Sequence, residues 1–401
     1  MMRTGDKLGR RAALALLASP FASPLVFCAA GQDQGQDRPA APYVDRTKRQ
    51  MVYEGPGGDE PEPTDLKEIR IGYFGPSDPT HVEGGSFWRG ASKAILEANK
   101  EGGYRGLPFR LVAKWSESPW KAGGRMMVEL AYVDRVWAVI GSIDGVATHI
   151  AEQVVAKVQL SLVDPGSTDR SVNAAMVPWM FSCLPGDPAI ASALAPHLAR
   201  EAGAAGPVLL VSTGHDERHA ADEFKYWFVE RQPGIARIFE FEPGDGNLDK
   251  AVRQAVGARA ALVLGGVADT AQAVKLLREE SKDTAIYAGA AAAKSTFIAL
   301  AGAAAEEVRC PLLARAAPRD WAPGDGQDYA ALQSYDAARM VVSSIRTGGL
   351  NRFRICRALA QMTPWQGAAG EVRWSALNRN SRPVSTAVIR GGRLEAFGPR
   401  A

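Results

Sequence analysis

Cysteine is scarce, with four in 401 residues, and one of them, Cys28, ends a stretch that reads as a removable leader. The other three, Cys183, Cys310 and Cys356, are widely spaced and odd in number, which excludes a disulfide framework or a CxxC metal site. Each is expected to be a small apolar filler. An excess of one charge is also missing: 47 Lys and Arg against 44 Asp and Glu leave a net +3, so electrostatics call for neither nucleic acid nor an anionic membrane surface as partner. No GxxxxGK[ST] or GxSxG sequence occurs, which removes support for P-loop nucleotide hydrolysis and for the common serine-hydrolase arrangement. The apolar run 12–27 is interrupted by Ser19, Pro20, Ser23 and Pro24 and stays well below bilayer-spanning length.

What is present is the composition of a soluble globular chain, 46% hydrophobic and 23% charged, long enough for about two lobes with extensions. Arg3, Lys7, Arg10 and Arg11 precede the apolar run, and Cys28-Ala29-Ala30-Gly31 follows it. Basic, apolar and small-residue regions in that order form an export signal over 1–30, cleaved after Ala30, which places the mature chain in the periplasm or otherwise outside the cytoplasm. Arg10-Arg11 suggests a twin-arginine route, but Gly9 stands where Ser or Thr is usual, so the route stays open. Leu25-Val26-Phe27-Cys28 resembles a lipoprotein box in which bulky Phe27 replaces a small residue, so lipidation is disfavoured. Residues 31–67, rich in Gln, Asp, Pro and Gly, are expected as a tether or loosely held arm, because they carry too little apolar surface to offset their ordering entropy.

The chain is organised around 136–169. The apolar run 136–140 ends in Gly141 and a small polar loop, after which Val146, Ile150, Val154 and Val158 recur at helical spacing. A second run, 160–163, ends in the loop 164–169. Strand, loop, helix, strand and loop make a parallel-sheet unit, and ligands of such sheets bind beyond the carboxyl ends of the strands. Before this unit, 69–74 and 109–115 read as strands, with helices from Ser86 and over 119–133. After it, strands at 208–212, 235–241, 261–264 and 285–287 alternate with helices at 217–230, 248–256 and 270–280. The segment 329–346 is a long helix, and 371–374 and 386–389 with Leu394 close the chain as strands. Trp88, Trp115, Trp120 and Trp137 lie on or beside apolar elements and are expected in the core. The predicted class is α/β, with two similar Rossmann-like lobes whose parallel central sheets are joined by a hinge, and a ligand cleft between them.

The segments IRIGYFGP, WRGASKAILEANKEGG, AVIGS, SLVDPGSTD, ALVLGG, YAALQSYDAARMVVSSI and GEVRW, in this order and spacing, resemble those of the periplasmic substrate-binding proteins of ABC importers, branched-chain amino acid type. The resemblance implies lobe 1 from 68–183 plus 319–363, lobe 2 from 184–318 plus 364–401, and closure about a hinge on a small solute that is handed to ABC importer permease subunits. It implies no cofactor, no enzyme activity and no insertion of the mature chain in the membrane. By position in the resemblance, the ligand-contacting residues are Ser77, Glu83, Ser142, Asp144, Gly145, Gly166, Ser167, Thr168, His215, Arg218, Val267, Ala268 and Ala291. Thr168 matches the family's binding threonine and Gly166 a backbone contact, whereas Gly145 falls where a carboxylate-binding serine is typical. Ala291 stands where amino acid binders carry the acid that pairs with the ligand's ammonium. The expected ligand is therefore a small polar organic solute, such as a carboxylate or amide held by Thr168 and the amides of 166–168, with weak binding of leucine, isoleucine and valine.

His215 and His219 stand at i, i+4, a spacing that can ligate zinc, but Asp216 replaces the glutamate of HExxH and no third donor follows at a familiar spacing. The pair is read as a solvated or ligand-contacting cluster in a loop, and Lys294 and Arg218 as cations able to pair with an anionic ligand, with surface solvation the default for each. Solute capture leads; a ligand-sensing module acting on a signalling partner and a metal-dependent hydrolase using His215 and His219 are the alternatives.

Overall fold

A computed structural model describes residues 50–231, 236–244, 247–315, 321–322 and 324–398. The first part of the chain runs β1 (Ile69–Phe74), α1 (Gly85–Lys100), β2 (Phe109–Lys114), α2 (Pro119–Tyr132), β3 (Val139–Gly141), α3 (Gly145–Val158), β4 (Leu162–Asp164) and β5 (Met180–Ser182). These strands form one parallel sheet in the order β2-β1-β3-β4-β5. The alternation resumes with α4 (Asp187–Ala202), β6 (Val208–Ser212), α5 (His215–Arg231), β7 (Arg237–Phe241), α6 (Leu248–Ala255), β8 (Ala260–Leu264), α7 (Val267–Glu280), β9 (Ala285–Ala288), α8 (Ser295–Ala301) and β10 (Arg309–Leu312). Then come α9 (Tyr329–Gly348), α10 (Arg352–Gln361), a small antiparallel pair β11 (Trp365–Gly367) and β12 (Gly370–Val372), β13 (Ser385–Arg390) and β14 (Arg393–Phe397).

The second sheet has the order β14-β13-β10-β9-β8-β6-β7. Its strands β6 to β10 form the expected parallel centre, while β13 and β14 add antiparallel at one edge. A Gly391-Gly392 turn, with both glycines at positive φ, makes the last hairpin short enough to fold back directly, whereas parallel neighbours need a crossover helix. The central strands β6 and β8 are buried at every position, as expected where helices cover both faces.

Crossings between the sheets are tied by buried polar groups. The Arg382 guanidinium donates to the carbonyls of Ala369 (2.9 Å) and Leu313 (2.6 Å), and Asn380 donates to that of Cys183 at 2.9 Å. Asp328 caps α9 by accepting from Ala330 N–H at 2.9 Å, and its other oxygen accepts from Ser86 of α1 (2.8 Å) and from Ser295 N–H at the start of α8 (2.9 Å). One buried carboxylate thus joins helices on both sides of the cleft.

Two expectations change. The arm is described from Gln50 onward, and there it is packed: Tyr53 is buried against Trp179 and Phe353, with ring centroids 4.7 and 5.4 Å away. Two buried anchors, Met51 and Tyr53, suffice to hold a segment whose average composition is polar. Residues 31–49 of that arm and the leader 1–30 lie outside the described residues. Trp120 is 65% exposed, because it sits in the first turn of α2, ahead of the residues that face the sheet. Cys183, Cys310 and Cys356 are buried free thiols, as expected of apolar fillers.

Helices α1 and α9 cross so closely that a β-carbon on Gly90 would collide with the Ala331 carbonyl. Gly90→Ala is therefore expected to destabilise by about 1–3 kcal/mol through overpacking, although alanine is intrinsically the better helix former. A urea-unfolding midpoint at or above that of the parent chain would show that the helices can separate freely.

Candidate functional site

Both sheets reverse strand order once, between β1 and β3 in the first and between β6 and β8 in the second. At such a switch point adjacent loops diverge and leave a crevice beyond the carboxyl ends of the strands. The loops after β1, β3 and β4 and those after β6, β8 and β9 together line one cavity of about 120 Å³. Its lining includes Glu83, Asp144, Gly166 and Thr168 from the first set, and Asp216, Glu217, Gly265, Gly266 and Ala291 from the second.

The two sides touch. Gly145 N–H, at the start of α3, donates to Asp216 Oδ2 at 2.6 Å, and Glu83 Oε1 accepts from Val267 N–H, the first residue of α7, at 2.5 Å. The Lys294 ammonium donates to Glu83 Oε2 at 2.9 Å and to the Glu83 carbonyl at 3.1 Å. Each contact pairs a charge with a helix N-terminus or with an opposite charge, which strengthens it in a partly dry site.

Acidity dominates the cavity. Burial pushes Asp187 and Glu217 above the usual carboxylate range, and burial together with the facing carboxylate of its partner does the same to Asp144. Asp216 is likewise raised by burial, opposed by the Gly145 N–H. Glu83 differs: burial acts upward, but Lys294 outweighs it and holds the carboxyl below its ordinary value. Lys294 is the cation of the lining, and it is already engaged with Glu83.

The structure brings together part of the predicted set. Glu83, Asp144, Gly166, Thr168 and Ala291 line the cavity. Gly145 and Val267 act through their N–H groups as described, Ser142 is buried behind the loop, and His215 points its Nε2 at Asp169 Oδ2, 3.1 Å away. Ser77 is exposed, because Gly75-Pro76 carries the chain away from the strand end. Arg218 is exposed and pairs with Glu240 at 3.3 Å, and Ala268 is exposed on α7. Each stands about 100° around its helix from a neighbour that faces the cleft, so sequence proximity did not bring it in.

Two of the three amides expected to hold a carboxylate are already used. Gly166 N–H and Ser167 N–H both donate to Asp164 Oδ1, at 2.9 and 3.0 Å, and the Thr168 carbonyl accepts from Asp187 N–H at 2.7 Å. Lys294, expected as a solvated surface cation, is 5% exposed. His215 and His219 lie on the first turns of a helix rather than in a loop, since α5 starts at His215 itself. Sequence reasoning missed Asp187, Asp216 and Glu217; the signal available was their place at or beside helix starts after strands, where acids serve as ordinary caps.

Gly145 has a physical reason. A β-carbon there would lie 2.6 Å from Asp216 Oδ1 and 2.9 Å from the Asp169 β-carbon, so a side chain at this position excludes the docked Asp216. Gly145→Ser is expected to break the 2.6 Å contact and favour separation of the lobes, read as a larger radius of gyration in small-angle scattering of the solute-free protein. An unchanged radius would show that this contact does not hold the cleft shut.

The solved structures that share this fold include the branched-chain amino acid transporter substrate binding protein LivJ from Streptococcus pneumoniae in complex with isoleucine. It is 20% identical, with a TM-score of 0.72 over 83% of this chain and 100% of that one. A solute binding protein of an ABC transporter from R. palustris in complex with benzoate is 14% identical, with a TM-score of 0.70 over 82% of this chain and 96% of that one. An amino acid binding protein of Pseudomonas aeruginosa is 29% identical over 117 residues, which span 29% of this chain and only 31% of that relative. The family model described as periplasmic binding protein matches residues 68–393, more than three quarters of the sequence, with both switch-point loops inside it. The chain therefore belongs to the periplasmic binding protein family.

Proposed function

We propose that this protein captures a small organic solute carrying an ammonium or related cationic group in the cavity between its two lobes, and delivers it to the permease subunits of an ABC importer. One observation carries the ligand class: Asp144, Asp187, Asp216 and Glu217 face a cavity whose cation, Lys294, is bound to Glu83. Carboxylates that lose water without gaining a positive partner are costly, and a bound cation with N–H donors relieves that cost. Ile143, Ile190, Phe224 and Leu264 complete the lining with apolar surface, which suits a carbon skeleton of modest size. Ala291 leaves the loop after β9 without an acid, but acids at the start of α5 stand on the same side of the cleft. A carboxylate or amide, the ligand expected from sequence, fits this cavity less well, because two of the three amides meant for it, those of Gly166 and Ser167, are turned onto Asp164.

Extracytoplasmic work fits the family, and the leader at 1–30 is the proposed route out of the cytoplasm. Among the described residues no helix is long and apolar enough to cross a membrane.

Calorimetric titration of the purified chain with primary amines, amino acids and small acids tests the reading. An ammonium-bearing solute is expected to bind at micromolar or tighter Kd, and Glu217→Gln to weaken it at least tenfold, about 1.4 kcal/mol. Tight binding of an acid that lacks any cationic group, undiminished in Glu217→Gln, would overturn the proposed ligand class.

A further inference from the structure

Three of the chain's five histidines converge on one carboxylate at the edge of the cleft. His149 of α3 and His215 of α5 each place Nε2 3.1 Å from Asp169 Oδ2, and His219 places Nδ1 3.2 Å from Asp169 Oδ1. His149 and Asp169 belong to the first sheet's layer, His215 and His219 to the second's. The four residues are separated in sequence by up to 70 positions, so only the closed arrangement of the lobes assembles them.

We propose that His149, Asp169 and His215 form a site for a divalent transition-metal ion of the zinc type that bridges the two lobes, with His219 beside the remaining position. The donor set is two imidazole nitrogens and a carboxylate oxygen, and these three donor atoms all lie within 4.8 Å of one another. Ligand atoms around a tetrahedral zinc with bonds of ~2.0–2.1 Å stand ~3.3 Å apart, which the two nitrogen-to-Oδ2 distances of 3.1 Å already approach. Imidazole with carboxylate suits zinc, cobalt, nickel and copper better than calcium or magnesium, which take oxygen sets.

The surroundings orient the donors. Ser171 donates to Asp169 Oδ1 through both N–H and hydroxyl, each at 2.8 Å, and leaves Oδ2 to His149 and His215. The Ser171 hydroxyl also lies 2.8 Å from His149 Nε2. Behind the ring, His149 Nδ1 faces Glu152 Oε2 at 3.8 Å, a separation longer than a hydrogen bond that still places an acid next to the imidazole. The Asp169 side chain is fully buried, whereas those of His149, His215 and His219 are 22%, 33% and 38% exposed, so an ion can enter from solvent and meet a fixed anion.

A metal that takes donors from both lobes binds the closed state alone, and therefore shifts the lobe equilibrium toward closure. The site needs no solute in the cavity, which makes it independent of the ligand class proposed above.

The test uses the full chain stripped with chelator, with zinc sulfate as probe and no solute. Calorimetry is expected to show one zinc per chain at micromolar or tighter Kd, thermal unfolding to shift upward, and scattering to give a smaller radius of gyration. His149→Ala and His215→Ala, one from each lobe, are each expected to weaken zinc at least tenfold, while His197→Ala, away from the cluster, leaves it unchanged. Cobalt in place of zinc supplies a visible spectrum that reports coordination geometry even in a variant of reduced stability. Zinc affinity equal in the parent chain and in the His149→Ala, His215→Ala double variant, with both folded by circular dichroism, would overturn the site. Loss of affinity in His149→Ala alone, with His215→Ala unaffected, would overturn the bridge between lobes.

Discussion

The first turn of α3 carries unsatisfied N–H groups and the positive end of a helix dipole, and in this chain the group that meets them comes from the opposite lobe: Asp216 accepts from Gly145 N–H at 2.6 Å. Much else is arranged around that contact. Gly145 must lack a side chain for the carboxylate to approach, and Asp144 is left as N-cap, accepting from Ala147 N–H at 2.7 Å. Docking Asp216 also fixes the first turn of α5, which sets Glu217 in the cavity and turns His215 and His219 toward Asp169. The result is a closed crevice in which a fixed carboxylate occupies an anion-binding helix terminus.

That arrangement inverts the charge logic of the cleft. With helix amides and loop amides answered by the protein's own carboxylates, Asp216 at α3 and Asp164 at Gly166 and Ser167, few donors remain for an anionic solute. What remains is acceptor capacity. Asp216 Oδ1 is buried without a hydrogen-bond partner, and Asp144, Asp187 and Glu217 are all pushed upward by burial. A buried acid in this condition is relieved either by a proton or by a cation.

The architecture was legible because its signals are local. Apolar runs of four to six residues ending in Gly and small polar loops marked the strand ends, and apolar spacing on α1 and α3 marked the helices between them. The order of those units was enough to place a cleft at the strand ends. The site was legible only as a set of loops. Whether an amide in 166–168 is free or already used depends on Asp164, two or three residues away but turned back beneath the loop. No pattern in the sequence distinguishes that from an outward carboxylate. Lys294 is buried because Glu83, more than 200 residues earlier, meets it across the cleft. Histidine spacing within 215–219 was visible, but its partners at 149 and 169 belong to another lobe, and a helix beginning at His215 lacks the Ser, Thr, Asp or Asn directly before it that marks a start most clearly, leaving only the first-turn acids Asp216 and Glu217.

The small residues of the second lobe's loops make sense in the same terms. Gly265, Gly266, Gly289, Ala290 and Ala291 present backbone and methyl groups to the cavity, so those loops provide room without directing a ligand. The acidic side chains that reach the cavity from that side come instead from the first turn of α5, Asp216 and Glu217, with Phe224 of the same helix two turns further along. Side chains on a helix are held by packing more firmly than those on a loop, and α5 is itself anchored through buried Phe224, Trp227 and Phe228. Placing these groups on one rigid helix has a mechanical consequence: any motion of the second lobe moves Asp216, Glu217 and the two histidines as one body. Cavity, helix-terminus contact and histidine cluster must then open and close together.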